Sequence, residues 1–144
     1  MKKLLITFFL LLSGTFAYAG DGWETDFDAA LIEANAKNKH VLVNFTGSDW
    51  CGWCIRLHKE VFSQDTFKEF AANKLVLVEI DFPNKIEQSE VLKAQNEALA
   101  KKYKIRGFPT ILLLSSEGEL IGTTGYQAGG PAAYIEHLKE RMSE

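Results

Sequence analysis

Three short apolar runs, Val41–Phe45, Leu75–Asp81 and Thr110–Leu114, are separated by longer stretches of helical periodicity. That alternation constrains the fold more than any other property of the chain. Each run is too short for a helix and rich in branched residues, as expected of a strand buried on both faces. Pro83-Asn84 closes the second run. Before the first strand, Phe27, Ala30, Leu31 and Ala34 recur at helical spacing and run into the polar Lys37-Asn38-Lys39. After the second, Val91, Leu92, Gln95, Ala98, Leu99 and Tyr103 mark another helix with its charges on the opposite side. Glu117-Gly118 then predicts a hairpin turn, with Leu120–Thr124 as the antiparallel partner of the third strand. Gly129-Gly130-Pro131 ends the sheet, and Ala133, Ile135 and Leu138 predict a closing amphipathic helix with Pro131 near its first turn. The expected architecture is an α/β, three-layer fold: a central mixed sheet of four to five strands flanked by helices.

The N-terminus reads as an export signal. Met1-Lys2-Lys3 is a basic start, Leu4 to Leu12 is apolar apart from Thr7, and Ala17-Tyr18-Ala19 is a small-x-small cleavage site. A spanning helix wants about 20 apolar residues, and this stretch breaks up at Ser13-Gly14-Thr15. Residues 1–19 are therefore expected to be a cleaved signal peptide, with a short linker around Gly20 to Trp23 after it. No cysteine follows the apolar run to take a lipid, and Lys-Lys in place of Arg-Arg points to the general export route. Losing Lys2 and Lys3 leaves 14 basic residues against 19 acidic ones, a net charge of −5. Such a chain has no electrostatic reason to bind nucleic acid or an anionic membrane.

The chain has two cysteines, and both lie in Cys51-Gly52-Trp53-Cys54, directly after the first strand and at the start of a helical run through Ile55, Leu57, His58 and Val61. Two thiols at this spacing can close a small disulfide ring and exchange two electrons with another dithiol. A purely structural bridge is the competing use in an oxidising compartment, but it would close almost no loop and so stabilise little. Cys51, Cys54 and His58 also have C-x2-C-x3-H spacing. A structural zinc site wants four protein ligands, and His40 and His137 lie on other elements. No metal and no cofactor is expected. Ser63-Gln64-Asp65 predicts a fresh N-cap for a segment carrying Phe67, Phe70 and Ala71, so the helix after the cysteines should break near Phe62.

Taken together, the buried strand, Trp50-Cys51-Gly52-Trp53-Cys54 and, after the long helix, Ile105-Arg106-Gly107-Phe108-Pro109-Thr110 resemble the active-site and cis-proline segments of the thioredoxin superfamily, in the right order. The resemblance runs from about Phe27 to about Leu138 and looks closest to small exported thioredoxin-like domains, which makes residues 20–144 one such domain. It implies that Cys51 is the nucleophile and Cys54 the resolving thiol. It also implies a cis Pro109 that exposes the backbone of Phe108 to an extended substrate, with Trp50 packed beside the cysteines and Trp53 in an apolar docking surface.

Two departures stand out. Where thioredoxins carry a buried acid that takes the proton of the resolving cysteine, the matching residue is Asn44, with one residue inserted before Trp50. An amide cannot take that proton, so either water, Asp49 or another acid takes it or Cys54 is deprotonated more slowly than in thioredoxins; for Asp49 the reading as a solvated loop carboxylate or cap is favoured over a proton relay. Trp53 stands where better-known sites have Pro or His, and without positive charge between the cysteines an extreme oxidant is not expected. The expected activity is thiol–disulfide exchange with protein thiols and disulfides in the periplasm or outside the cell, in the reductase direction, by a monomer drawing electrons from a membrane-embedded donor. The rival expectation is a non-catalytic thioredoxin-fold module that holds a peptide or partner in the groove near Phe108-Pro109.

Overall fold

The computed structural model describes residues 18, 19 and 22–143. Residues 1–17 of the expected signal peptide lie outside them. Among the described residues six strands form one sheet in the order β1-β2-β4-β3-β5-β6. They are β1 (Tyr18–Ala19), β2 (Trp23–Glu24), β3 (His40–Thr46), β4 (Leu75–Asp81), β5 (Thr110–Leu114) and β6 (Leu120–Thr124). The helices are α1 (Phe27–Lys37), α2 (Gly52–Leu57), α3 (Asp65–Lys74), α4 (Glu90–Lys102) and α5 (Gly130–Met142). The four strands of five residues or more are those expected; two-residue strands extend the sheet at one edge.

β3 is central. It pairs in parallel with β4, from His40 opposite Leu75 to Thr46 opposite Asp81, and antiparallel with β5, from Val41 opposite Leu114 to Phe45 opposite Thr110. Because strand side chains alternate, this register sorts the sheet into two faces. Val41, Val43, Phe45, Val76, Val78 and Ile80 pack against Phe27, Ala30 and Ala34 of α1 and Leu99 of α4. Leu42, Leu75, Leu77, Ile111 and Leu113 face the other way, against Leu57 of α2, Phe67 of α3 and Tyr134 and Leu138 of α5. Each of the valine, leucine, isoleucine and phenylalanine side chains contributes about 1.5–3 kcal/mol by leaving water.

Trp23, expected at the end of a linker, is instead part of the sheet. Trp23 is buried in β2, which pairs in parallel with β4, and its ring lies 5.1 Å from that of Phe62. It joins the core on the side of α2, α3 and α5, with Phe62 and Phe67, which a two-residue strand could not reveal in sequence. The helix after the cysteines breaks where expected, by widening: α2 passes into a π-helical turn at His58–Phe62, closed by Ser63 N–H on His58 C=O at 2.8 Å. Ser63 does not cap α3. Its hydroxyl donates back to Lys59 C=O, and Gln64 takes the N-cap position with no side-chain bond. α1 does have a side-chain cap, Asp26 accepting Ala29 N–H at 3.0 Å, and ends on Asn38 in the left-handed conformation. Among the described residues no helix is long and apolar enough to cross a membrane.

Candidate active site

β3 delivers the chain to a turn, Gly47 to Trp50, that is tied down from the opposite side. Cys51 N–H closes it onto Gly47 C=O at 2.9 Å. Ser48 donates its backbone N–H and hydroxyl to the Asp81 carboxylate at 2.9 and 2.5 Å. Trp50 donates its indole N–H to Phe82 C=O at 2.7 Å. Gly47 has to be glycine because a Cβ there would run into the Trp50 ring. Asp49 accepts the backbone N–H groups of Asn84, Lys85 and Ile86 at 2.8, 2.6 and 3.3 Å. Those bonds, led by Asn84, hold its carboxyl below the ordinary value of 3.8. Of the two readings of Asp49, the cap is the one its surroundings support. A carboxylate stabilised in its charged form by three N–H groups is a poor proton acceptor.

Cys51 takes the N-cap of α2, with extended backbone and its sulfur accepting Cys54 N–H at 3.3 Å. The pair is closed as a disulfide with the Cα atoms 5.2 Å apart. Both cysteines are buried, but they face different spaces. Cys51 lines an outer cleft of about 410 Å³ with Trp50, Phe82, Ile105, Arg106 and Phe108. Phe108 stacks on Phe82 at 5.2 Å and meets the edge of Trp50 at 5.9 Å. The Phe108–Pro109 bond that precedes β5 is cis. Cys54 instead lines a second, smaller cavity of about 240 Å³ with Asn44, Thr46, Ser48 and Glu79, open to solvent beside the exposed Ile55 and His58.

Trp50, Phe108 and Cys51 are thus brought together, whereas Trp53 is not part of their cleft. It is 55% exposed, as a docking residue would be. Its ring lies 5.1 Å from Tyr126, with the Arg56 guanidinium 5.4 Å from one ring and 5.3 Å from the other. Glu60 holds that group in place, accepting from Arg56 Nε at 2.7 Å and from the Tyr126 hydroxyl at 2.6 Å. Asn44 is buried, and its Oδ1 has no hydrogen-bond partner. His58 shares the second cavity with Cys54 alone of the two cysteines, and among the described residues no three His, Cys, Asp or Glu side chains are placed to hold a metal ion.

Sequence reasoning passed over Glu79, Phe82 and Tyr126. Glu79 did leave a signal: it is the one charge inside the apolar run from Leu75 to Ile80. It sits half-buried directly opposite Asn44, and burial first, then the neighbouring Asp81, pushes its carboxyl up to about 7. Phe82 and Tyr126 lie in loops distant in sequence from the cysteines and carry no comparable mark.

The comparisons with known proteins agree with this geometry. The family described as Thioredoxin-like domain matches residues 27–140. The chain is 37% identical over 120 residues to the disulfide bond reductase DsbH of Chlamydia pneumoniae, covering 83% of this chain and 72% of that protein. It is 34% identical to the thioredoxin-related protein DsbJ of the same organism, across 88% of this chain but only 39% of that longer one. A solved structure of a DsbH oxidoreductase superposes with a TM-score of 0.81 at 34% identity, covering 96% of this chain and 95% of the other. With its Cys-x-x-Cys pair at the head of α2, the chain belongs to the thioredoxin-like family, as a thiol–disulfide oxidoreductase.

Proposed function

We propose that the protein reduces disulfides of other proteins in the periplasm or outside the cell, with Cys51 attacking and Cys54 resolving. The observation that carries this reading is the division of the two cysteines between the aromatic cleft and a separate, more polar cavity. Cys51 is the one that faces the side from which a substrate arrives. As the N-cap of α2 it sits at the positive end of the helix, and its sulfur already accepts Cys54 N–H, an arrangement that stabilises a thiolate.

In the reductase direction the Cys51 thiolate attacks one sulfur of a substrate disulfide. That S–S bond breaks, one substrate thiolate leaves, and a Cys51 mixed disulfide forms. The Cys54 thiolate then attacks Cys51 Sγ, closing the Cys51–Cys54 bond and releasing the second substrate thiol. Two electrons pass from enzyme to substrate, so a dithiol donor must restore the pair. In an oxidising compartment that donor is a membrane-embedded one. The direction is supported by the uncharged Gly52-Trp53 between the cysteines and by the reductase name of the 37% identical relative. The export reading rests on the signal pattern of residues 1–19. Trp50, Phe108 and Pro109 receive the extended segment around the substrate disulfide, Trp53 offers apolar contact on the far side of α2, and the protein acts as a monomer.

The test is a Cys54→Ser trap in cells exporting the protein. It should accumulate mixed disulfides through Cys51 that are absent from the Cys51→Ser, Cys54→Ser double variant. No trapped species, with partner binding intact in Cys51→Ser, would establish the non-catalytic binding module instead.

A further inference from the structure

β4 interrupts its own apolar pattern once, at Glu79, and does so on the face turned toward α2. A carboxylate in a half-buried strand position is unfavourable unless it is paired, hydrogen-bonded or takes up a proton. The parallel register sets Glu79 directly opposite Asn44, whose buried Oδ1 is an acceptor without a donor. Both residues line the cavity that holds Cys54, which shares no lining residue with the aromatic cleft that holds Cys51. The remaining groups around it are defined. Asp81, on the same strand, is engaged by Ser48 through two hydrogen bonds; His58 enters from the π-helical turn; Thr46 and Ser48 come from β3 and the turn after it.

We propose that Glu79 is the proton acceptor for Cys54, and that Asn44 is its counterpart, holding the proton once transferred. This rests on the reading of Cys54 as the resolving thiol. In the step, the Cys54 S–H proton passes to the Glu79 carboxylate across the shared cavity, which is large enough for a bridging water. The resulting thiolate attacks Cys51 Sγ, the Cys51–substrate S–S bond breaks, and the departing substrate thiolate takes a proton from solvent. A protonated Glu79 has an O–H to donate, and Asn44 Oδ1 opposite it lacks a donor, so the amide stabilises the protonated state. The acid has in effect moved one strand over, from β3 to β4. With Glu79 titrating at about 7, the acceptor is half-available near neutral pH, where a base is most effective.

The experiment mixes the reduced protein with dithiobis(nitrobenzoic acid) and follows release of thionitrobenzoate by stopped flow. The first equivalent reports Cys51 attack and the second reports Cys54. Wild type should release two equivalents and Cys54→Ser one; a wild type that releases only one loses the proposed function and this inference with it. Given that, Glu79→Gln should leave the first phase unchanged. Its second phase should slow at least about tenfold near neutral pH, less than the ~10²–10⁴-fold worth of many general bases because a thiol ionises readily. The wild-type second phase should rise with a midpoint near the Glu79 value of about 7, and that break should vanish in Glu79→Gln. Glu79→Asp, which keeps the carboxyl and guards against misfolding of the amide variant, should restore part of the rate and a break. His58→Gln should leave the profile intact. An unchanged second phase in Glu79→Gln, equal slowing of both phases, or loss of the break in His58→Gln instead would overturn the assignment.

Discussion

Glu79→Gln should make the folded protein more stable at about pH 8 and leave it nearly unchanged at about pH 4, which is an unusual outcome for a change beside an active site. The reasoning starts from the carboxyl, raised from an ordinary 4.5 to about 7 by burial and by Asp81. Below the unfolded value, Glu79 is protonated in both states and makes no pH-dependent contribution. Between the two values the native state holds a proton that the unfolded chain has lost, so stability falls as pH rises. Above the folded value the penalty is complete. At about 1.4 kcal/mol per pH unit, the interval from 4.5 to about 7 corresponds to roughly 3 kcal/mol. Gln keeps the shape and never ionises, so it removes the penalty. The assay is urea unfolding of the oxidised protein at the two pH values and constant ionic strength. With an m-value of about 1–3 kcal/mol per molar, the midpoint should move up by about 1–3 M at the higher pH. Glu24, also pushed up to about 7 by burial and by Glu33, titrates in the same window, so the quantity to read is the difference between variant and wild type. An equal shift at both pH values, or destabilisation at the higher one, would refute a strained carboxylate at this position.

Two other outcomes test the frame around the cysteines. Asp49→Ala should speed amide hydrogen exchange at Asn84, Lys85 and Ile86 while leaving the global unfolding midpoint unchanged, since its bonds tie a surface loop. Because the Asp49 carboxyl is held below 3.8, the wild-type clamp should be fully formed above that pH and released only as pH falls through the lower folded value. Phe108→Ala should raise KM for protein disulfides by about 2- to 10-fold, the equivalent of an aromatic contact worth roughly 0.5–1.5 kcal/mol, and leave a small aliphatic disulfide unaffected. Equal losses on both substrates would place Phe108 outside substrate binding.

Much of the fold was legible because its signals are local. The runs Val41–Phe45 and Leu75–Asp81 declare buried strands by length and branching, and the turn at Glu117-Gly118 is a real hairpin, with Gly118 at φ +85°. The short edge strands were not legible. Two residues at Trp23–Glu24 carry no periodicity, and only pairing with Leu77 and Val78 makes them a strand. The same limit governed the site. Asp49 was open between relay and cap because its three partners lie 35 to 37 residues away. Trp50 and Trp53 look alike in the motif, yet one is held by Phe82 in the cleft and the other by Tyr126 across α2.

By itself the sequence determined what depends on neighbours in the chain: the strand and helix periods, the placement of Cys51 at a helix start, and Phe108-Pro109 before an apolar strand. It also exposed the absence of an acid at position 44. Which acid stands nearby instead depended on the register of β3 against β4, which sets Asn44 opposite Glu79 across a gap of 35 residues. Strand register is a property of two segments and the layers packed on them. A shift of one residue would have turned Glu79 to the face of α1 and α4. Only the tertiary structure could therefore put a carboxylate, an amide with an unpartnered oxygen and Cys54 around one cavity.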